Sequence, residues 1–159
     1  MNAFAEVYDA LCDTVRGGAN VRKLADTAAG EKHPENEATN RRMTEDGFGI
    51  VRLDVVPMPG GTWKQISSSS TEIEEHFYIE TCAAFLSHRD CMALEYEILA
   101  ALWGNRTMGL SWVVTTRIDK TERAYALGVP AQGKRGVTWT GRIEITVTMI
   151  LDRTHLPMG

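Results

Sequence analysis

Between Gly136 and Ile150 the chain reads GVTWTGRIEITVTMI. Val137, Trp139, Ile143, Ile145, Val147 and Met149 share one parity, with Gly141 among them; Thr138, Thr140, Arg142, Glu144, Thr146 and Thr148 share the other. Successive strand side chains point to opposite faces, so this segment specifies a long strand with one apolar face and one Thr-lined, charged face. Fifteen extended residues span about 50 Å. A compact chain of 159 residues has a radius of gyration of about 15 Å, hence a diameter of about 39 Å if roughly spherical. The strand is longer than such a body. It is expected either to bend sharply, through a bulge at Gly141, or to project together with the loop before it. The Asp119 to Gly136 connection and the Pro57 to Thr71 arm favour projection, being long, polar and glycine-bearing.

The other elements come from periodicity. Phe4, Val7, Tyr8, Leu11 and Val15 recur at helical spacing, which predicts an amphipathic helix from about Ala3 to Val15, ended by Gly17-Gly18. Ala19 to Gly47 is polar and charged, and reads as a long surface loop with a short helix around Val21 to Ala29. FGIVRLDVV, Phe48 to Val56, predicts a strand stopped by Pro57-Met58-Pro59-Gly60-Gly61, and Glu72 to Phe85 predicts another after the serine run Ser67 to Ser70. Ser87 with Asp90 three residues on forms a variant capping box, opening a helix that runs to Trp103 with Gly104 as its stop. Cys91, Leu94, Ile98 and Leu102 form one stripe of that helix; Met92, Tyr96, Leu99 and Trp103 form a second. So much apolar circumference predicts a largely buried helix. Gly109 to about Tyr125 is extended, with Leu110, Trp112, Val114 and Ile118 on one parity, and the loop Ala126 to Gly136 leads to the closing strand. The expected fold class is α+β: a mainly antiparallel four-stranded sheet with two helices on one face and long projecting loops, all in a single domain spanning residues 1–159.

At 43% hydrophobic the chain is rich enough to build that core without staples. Cys12, Cys82 and Cys91 are odd in number, form no CxxC pair and sit in apolar-periodic segments, as reduced core thiols made in a cytoplasm do. The acidic N-terminus lacks the pattern of a cleaved export signal, and no uncharged apolar run reaches the eighteen or so residues of a membrane span. A formal charge of −4 argues against a wide nucleic-acid-binding face.

Chemistry has no anchor in the sequence. His33, His76, His88 and His155 lack partners at metal-ligand spacing. His88 and Cys91 lie one helical turn apart, as base and nucleophile or as a solvated histidine above a core thiol. Glu72, Glu74, Glu75 and His76 form an acidic cluster, either a solvated charge run or a site for a cation or acid-base work. No catalytic, cofactor-binding or metal-ligating residues and no cofactor are assigned. Trp63, Lys64, Lys134 and Arg135 stand on the two loops expected to protrude, where such residues either solubilise a loop or make contacts.

In its helix beginning AFAEVYDAL, the strands FGIVRLDVV and EEHFYIETCAAF, the helix SHRDCMALEYEILAALWG, then WVVTTRIDKTERAY and GVTWTGRIEITVTMIL, nearly the whole chain resembles the tail terminator (tail-completion) proteins of long-tailed double-stranded DNA bacteriophages. The resemblance implies a homo-oligomeric ring, generally a hexamer. That ring caps the head-proximal end of the tail tube, stops its polymerisation and docks the neck or head-completion protein, while DNA passes through the lumen without specific binding. It implies a virion protein of the tail-neck junction, synthesised in the host cytoplasm, with no membrane partner and no catalytic residues to carry over. Ala19 to Gly47 is longer and more charged than the family pattern. The alternatives are a neck or head-closure protein, a tail tube subunit, or a small α+β ligand-binding domain or enzyme. The expected contacts are Trp63, Lys64, Lys134 and Arg135 on the loops, and Thr138, Thr140, Arg142 and Glu144 on the Thr-rich strand face as a subunit seam. Lys134→Glu with Arg135→Glu is predicted to leave folding intact and impair tail or neck assembly; unchanged tail length and infectivity would remove both residues from the contact set.

Overall fold

Asn2 opens the first helix: its side-chain oxygen accepts from the Ala5 amide at 3.1 Å, satisfying a donor that the helix itself cannot. α1, Ala3–Val15, forms where the spacing predicts it and buries Ala3, Val7, Leu11, Thr14 and Val15. This computed structural model describes residues 2–15, 51–86, 88–127 and 137–155. The expected helix at Val21 to Ala29, the long loop around it, the Ser87 cap and the loop bearing Lys134 and Arg135 lie outside the described residues.

The strands are β1 (Val51–Pro57), β2 (Thr62–Gln65), β3 (Ser70–Leu86), β4 (Val113–Leu127) and β5 (Val137–Asp152), with α2 (His88–Gly104) between β3 and β4. The sheet order is β1-β3-β5-β4, every neighbour antiparallel, and β2 pairs with the start of β3 beyond the end of β1. The class is therefore α+β as expected, with a fifth short strand added. α1, α2 and the inward residues of the sheet share one core, in which Val7, Leu11, Ile73, Ile79, Ile98, Ile145, Val147 and Met149 are fully buried.

β5 is the spine. Its odd-numbered residues from Trp139 to Leu151 are all buried, as the alternation requires. The expectation that it outreaches its own body is overturned. β3 and β4, 17 and 15 residues long, accompany it, so both of its hydrogen-bonding edges are taken within one chain. The estimate assumed a sphere, whereas three strands of this length make a body extended along the strands. No bulge interrupts β5 at Gly141, which pairs in register with Thr81 and Arg123. The register slips instead on its neighbours: β4 carries one extra residue at Val114 and another at Asp119, and β3 carries one between Ala83 and Leu86. The first slip turns Val114 outward and leaves Val113 and Thr116 buried, correcting the parity expected from Leu110, Trp112, Val114 and Ile118.

The Pro57 to Thr71 segment is not a projecting arm. Met58 donates to the His76 carbonyl at 2.8 Å, and the chain then crosses to β2, which runs antiparallel to β3. At the crossing a Cβ on Gly61 would lie 2.9 Å from the Glu74 carbonyl and from the Glu75 carboxylate, so the close approach there requires glycine. The serine run closes a tight turn, with the Ile66 and Ser67 amides both donating to the Ser70 carbonyl.

α2 is less covered than its composition suggests. Cys91, Leu94, Ile98 and Leu102 are buried, but Met92, Tyr96 and Trp103 of the second stripe are exposed. One sheet face and one neighbouring helix reach only part of its circumference. From this packing, Ile145→Ala should cost about 2–5 kcal/mol, read as a lower urea midpoint at unchanged slope. Thr148→Ala on the opposite face should cost far less, and equal losses would contradict the assignment of faces.

Candidate interaction face and sheet edges

The face of the sheet opposite the helices is built from the other parity of the long strands. β3 contributes Glu72, Glu74, His76, Tyr78 and Glu80, β5 contributes Thr140, Arg142, Glu144, Thr146 and Thr148, and β4 contributes Arg117, Lys120 and Glu122. Cross-strand neighbours on such a face interact directly. The Arg142 guanidinium lies 3.9 Å from the centre of the Tyr78 ring and 3.3 Å from Glu144. Lys120 pairs with Glu122.

At the centre of this face Thr146 is fully buried between its neighbours. Its hydroxyl donates to Asp119 Oδ2 at 2.5 Å, and His76 Nδ1 lies 2.9 Å from the Thr146 hydroxyl oxygen. A hydroxyl has one proton, so with that proton directed at Asp119 the imidazole must donate, which fixes hydrogen on Nδ1. Arg117 Nε completes the group by donating to Asp119 Oδ1 at 2.6 Å. The bulge at Asp119 swings this carboxylate over β5, so three strands are bound through one side-chain network. Histidine, threonine and aspartate make up the set, but the Thr146 hydroxyl is fully buried, so the arrangement presents no nucleophile to a substrate.

Burial raises the Asp119 pKa, but hydrogen bonds from Thr146 and Arg117 and the charges of Arg117 and His76 outweigh it, leaving the pKa below its usual value. Arg117 is held charged by the same carboxylate.

The residues expected as contacts separate in space. Trp63 and Lys64 lie on strand β2 rather than on a protruding loop. Both are exposed, and Trp63 meets the Phe4 ring of α1 edge-on at 6.1 Å. Thr140, Arg142 and Glu144 are half-buried on the open face, and Thr138 belongs to the same strand. As members of a central strand they offer no unpaired backbone, so a seam made by strand pairing cannot form at β5. Lys134 and Arg135 lie outside the described residues. Among the acidic cluster, Glu72, Glu74 and His76 share the open face while Glu75 falls on the helix side. Among the described residues no group of three or more His, Cys, Asp or Glu side chains is placed to hold a metal. His88 is exposed and meets Trp139 edge-on, while Cys91 is buried below the helix. A small cleft, with room for about one water molecule, is lined by Thr81, Cys91, Glu95, Trp139, Gly141 and Ile143. Its one ionisable carboxylate, on buried Glu95, is gripped by both arms of Arg123 at 2.7 and 2.8 Å, which ties α2 to β4.

Sequence reasoning missed the open edges. Among the described residues, no strand pairs with the outer side of β4, or with the outer side of β1 and β2. Read through the registers, Val51 is level with Tyr125 and Pro57 with Ile118. From Lys120 to Leu127 the β4 ladder is unbroken, whereas both bulges sit at or before Asp119.

A carboxylate with a lowered folded pKa stabilises the fold above its unfolded value, about 3.9, and that contribution is lost as pH falls through the folded pKa. Urea titrations at roughly pH 5 and pH 3 should therefore show a steeper loss for the native protein than for Asp119→Asn; identical slopes would mean that the network is not formed.

Compared with protein-family models and with curated proteins, the chain finds no match.

Proposed function

We propose that this chain is a non-enzymatic assembly protein, a phage tail terminator whose copies close into a ring at the head-proximal end of the tail tube. One observation carries the reading: the sheet is open at both edges among the described residues, and its strand directions suit continuation. The four strands in the order β1-β3-β5-β4 alternate in direction. A second copy placed beside the first in the sheet plane, in the same orientation, therefore presents its β1 antiparallel to β4. Such a contact is head-to-tail, and head-to-tail contacts generate rings when the rotation closes. Exposed strand edges are otherwise a hazard, and the bulges and alternating charges of β4 limit indiscriminate pairing. The support comes from these edges and not from the length of β5, whose company is internal.

On this reading the ring, of six copies as the family resemblance implies, binds the tube protein on one face and the neck protein on the other. The open polar face carries the Thr140, Arg142 and Glu144 row, and the net charge of −4 suits a lumen through which DNA slides without sticking. A neck or tube subunit would use the same edges, and stacking separates them: a tube subunit polymerises, a terminator stops after one ring.

Native mass spectrometry and electron microscopy of the chain mixed with tube protein test this. The expected result is a single closed ring on one end of each tube and an end to growth. Long stacks of this chain, or tubes that grow unaltered in its presence, would overturn termination.

A further inference from the structure

The large apolar side chains left exposed are not scattered. Phe4, Trp63 and Ile66 lie along the β1/β2 side: Trp63 is on β2, Phe4 packs edge-on against it, and Ile66 begins the turn after β2. Met92, Tyr96, Trp103 and Val114 lie along the β4 side. The Glu95–Arg123 fork turns one flank of α2 toward β4, and Met92, Tyr96 and Trp103 continue round the helix from Glu95 on that flank. Their spacing of four and seven residues makes one stripe. Ala93 and Ala100 beside them are also exposed, so between Met92 and Trp103 no charged residue of α2 falls within the stripe. Tyr96 is 71% exposed and Trp103 67%, with the Arg106 guanidinium 3.9 Å over the Trp103 ring. Contiguous exposed apolar surface of this kind marks an interaction site.

We infer that the two patches are the two halves of one seam between copies of this chain, the α2/β4 flank of one copy receiving the α1/β2 flank of the next. Each patch borders an edge of the same sheet that is open among the described residues, and the two edges are opposite. Trp63 is level, through Ile73 and Met149, with Val113, one residue from Val114. At the other end β1 is level with the stretch of β4 that ends at Tyr125. A single displacement in the sheet plane thus brings strand to strand and sets Trp63 level with Val114 and the Trp103 end of α2, while Tyr96, next to the Glu95–Arg123 pair, stands level with β1. The patches differ from each other, so the contact is heterologous and each copy retains one unused half, as a ring requires. Aromatic side chains bury about 150–250 Å² each. Tyr96 with Trp103 on one flank and Trp63 with Phe4 on the other form the apolar centre of the contact, and the strand edges and residues around them supply the remainder of the roughly 800 Å² per partner of a stable interface. The seam rests on the reading of the chain as a ring-forming subunit, but not on what the ring caps.

Two variants of the full chain test it. Tyr96→Arg spoils only the α2/β4 flank and Trp63→Arg only the α1/β2 flank. By sedimentation at a chain concentration of roughly 0.1 mM, where micromolar contacts are populated, the native chain should oligomerise and each variant alone should be monomeric. An equimolar mixture should form a 1:1 heterodimer and nothing larger, since one intact half remains on each partner. Trp103→Arg and Ile66→Arg serve the same flanks if thermal melting shows either first variant unfolded. A native chain that stays monomeric, variants that assemble normally, only one variant disrupted, or a mixture that remains monomeric would each overturn the seam. A heterodimer from the two variants together with failure of the native chain to cap tubes would uphold the seam and count against termination alone.

Discussion

Pairing of β5 along both of its edges is the constraint on which the rest of the molecule depends. A strand with an apolar row from Trp139 to Leu151 can be satisfied only if that row is roofed, and α1 and α2 supply the roof. With β3 and β4 occupying its flanks, every remaining element is pushed to a defined place. β1 and β2 line the far side of β3, and β4 becomes the opposite margin. One face of the sheet is dry and the other is held by polar contacts. The Thr146 network is the counterpart, on the open face, of the apolar core beneath: it fastens β3, β4 and β5 together through His76, Asp119 and Arg117. Such networks specify register, because a slip of one residue would send Thr146 into the core and Ile145 to the open face.

Much of this was legible in the sequence. Period-two alternation located β3 and β5, period-three-and-four spacing located α1 and α2, and Gly104 marked the end of α2. The failures have physical causes. A spherical body was assumed for a chain that builds three strands of nearly equal length. β4 carries two bulges, each reversing the parity of the residues after it, so Val114 and Asp119 could not be assigned to a face by counting. The second stripe on α2 was read as core because composition cannot say how many neighbours a helix will have. Trp63 looked like a loop tip because Gly60-Gly61 and the serines bracket it, yet four residues sufficed for a strand. Asp119, Thr146 and His76 come from three strands, and no spacing in the sequence links them.

The edges and flanks give the proposed assembly its physical content. An open sheet edge is unselective by itself, since any extended chain can add to it. Selectivity comes from the side chains beside the edge. On one side that is the stripe of Met92, Tyr96 and Trp103; on the other it is Phe4 with Trp63. The unbroken ladder of β4 from Lys120 lies level with β1, with Tyr96 close beside it, and Val114, Trp103 and Trp63 stand along the rest of the length.

Hydrogen–deuterium exchange on the chain before and after assembly tests the central claim most directly. Amides of β5 should be protected in both states, because β3 and β4 already hold them. Protection should rise on β4 and β1, the margins where copies meet. If β5 gains its protection only on assembly, or if the two margins exchange equally fast in both states, the account is wrong.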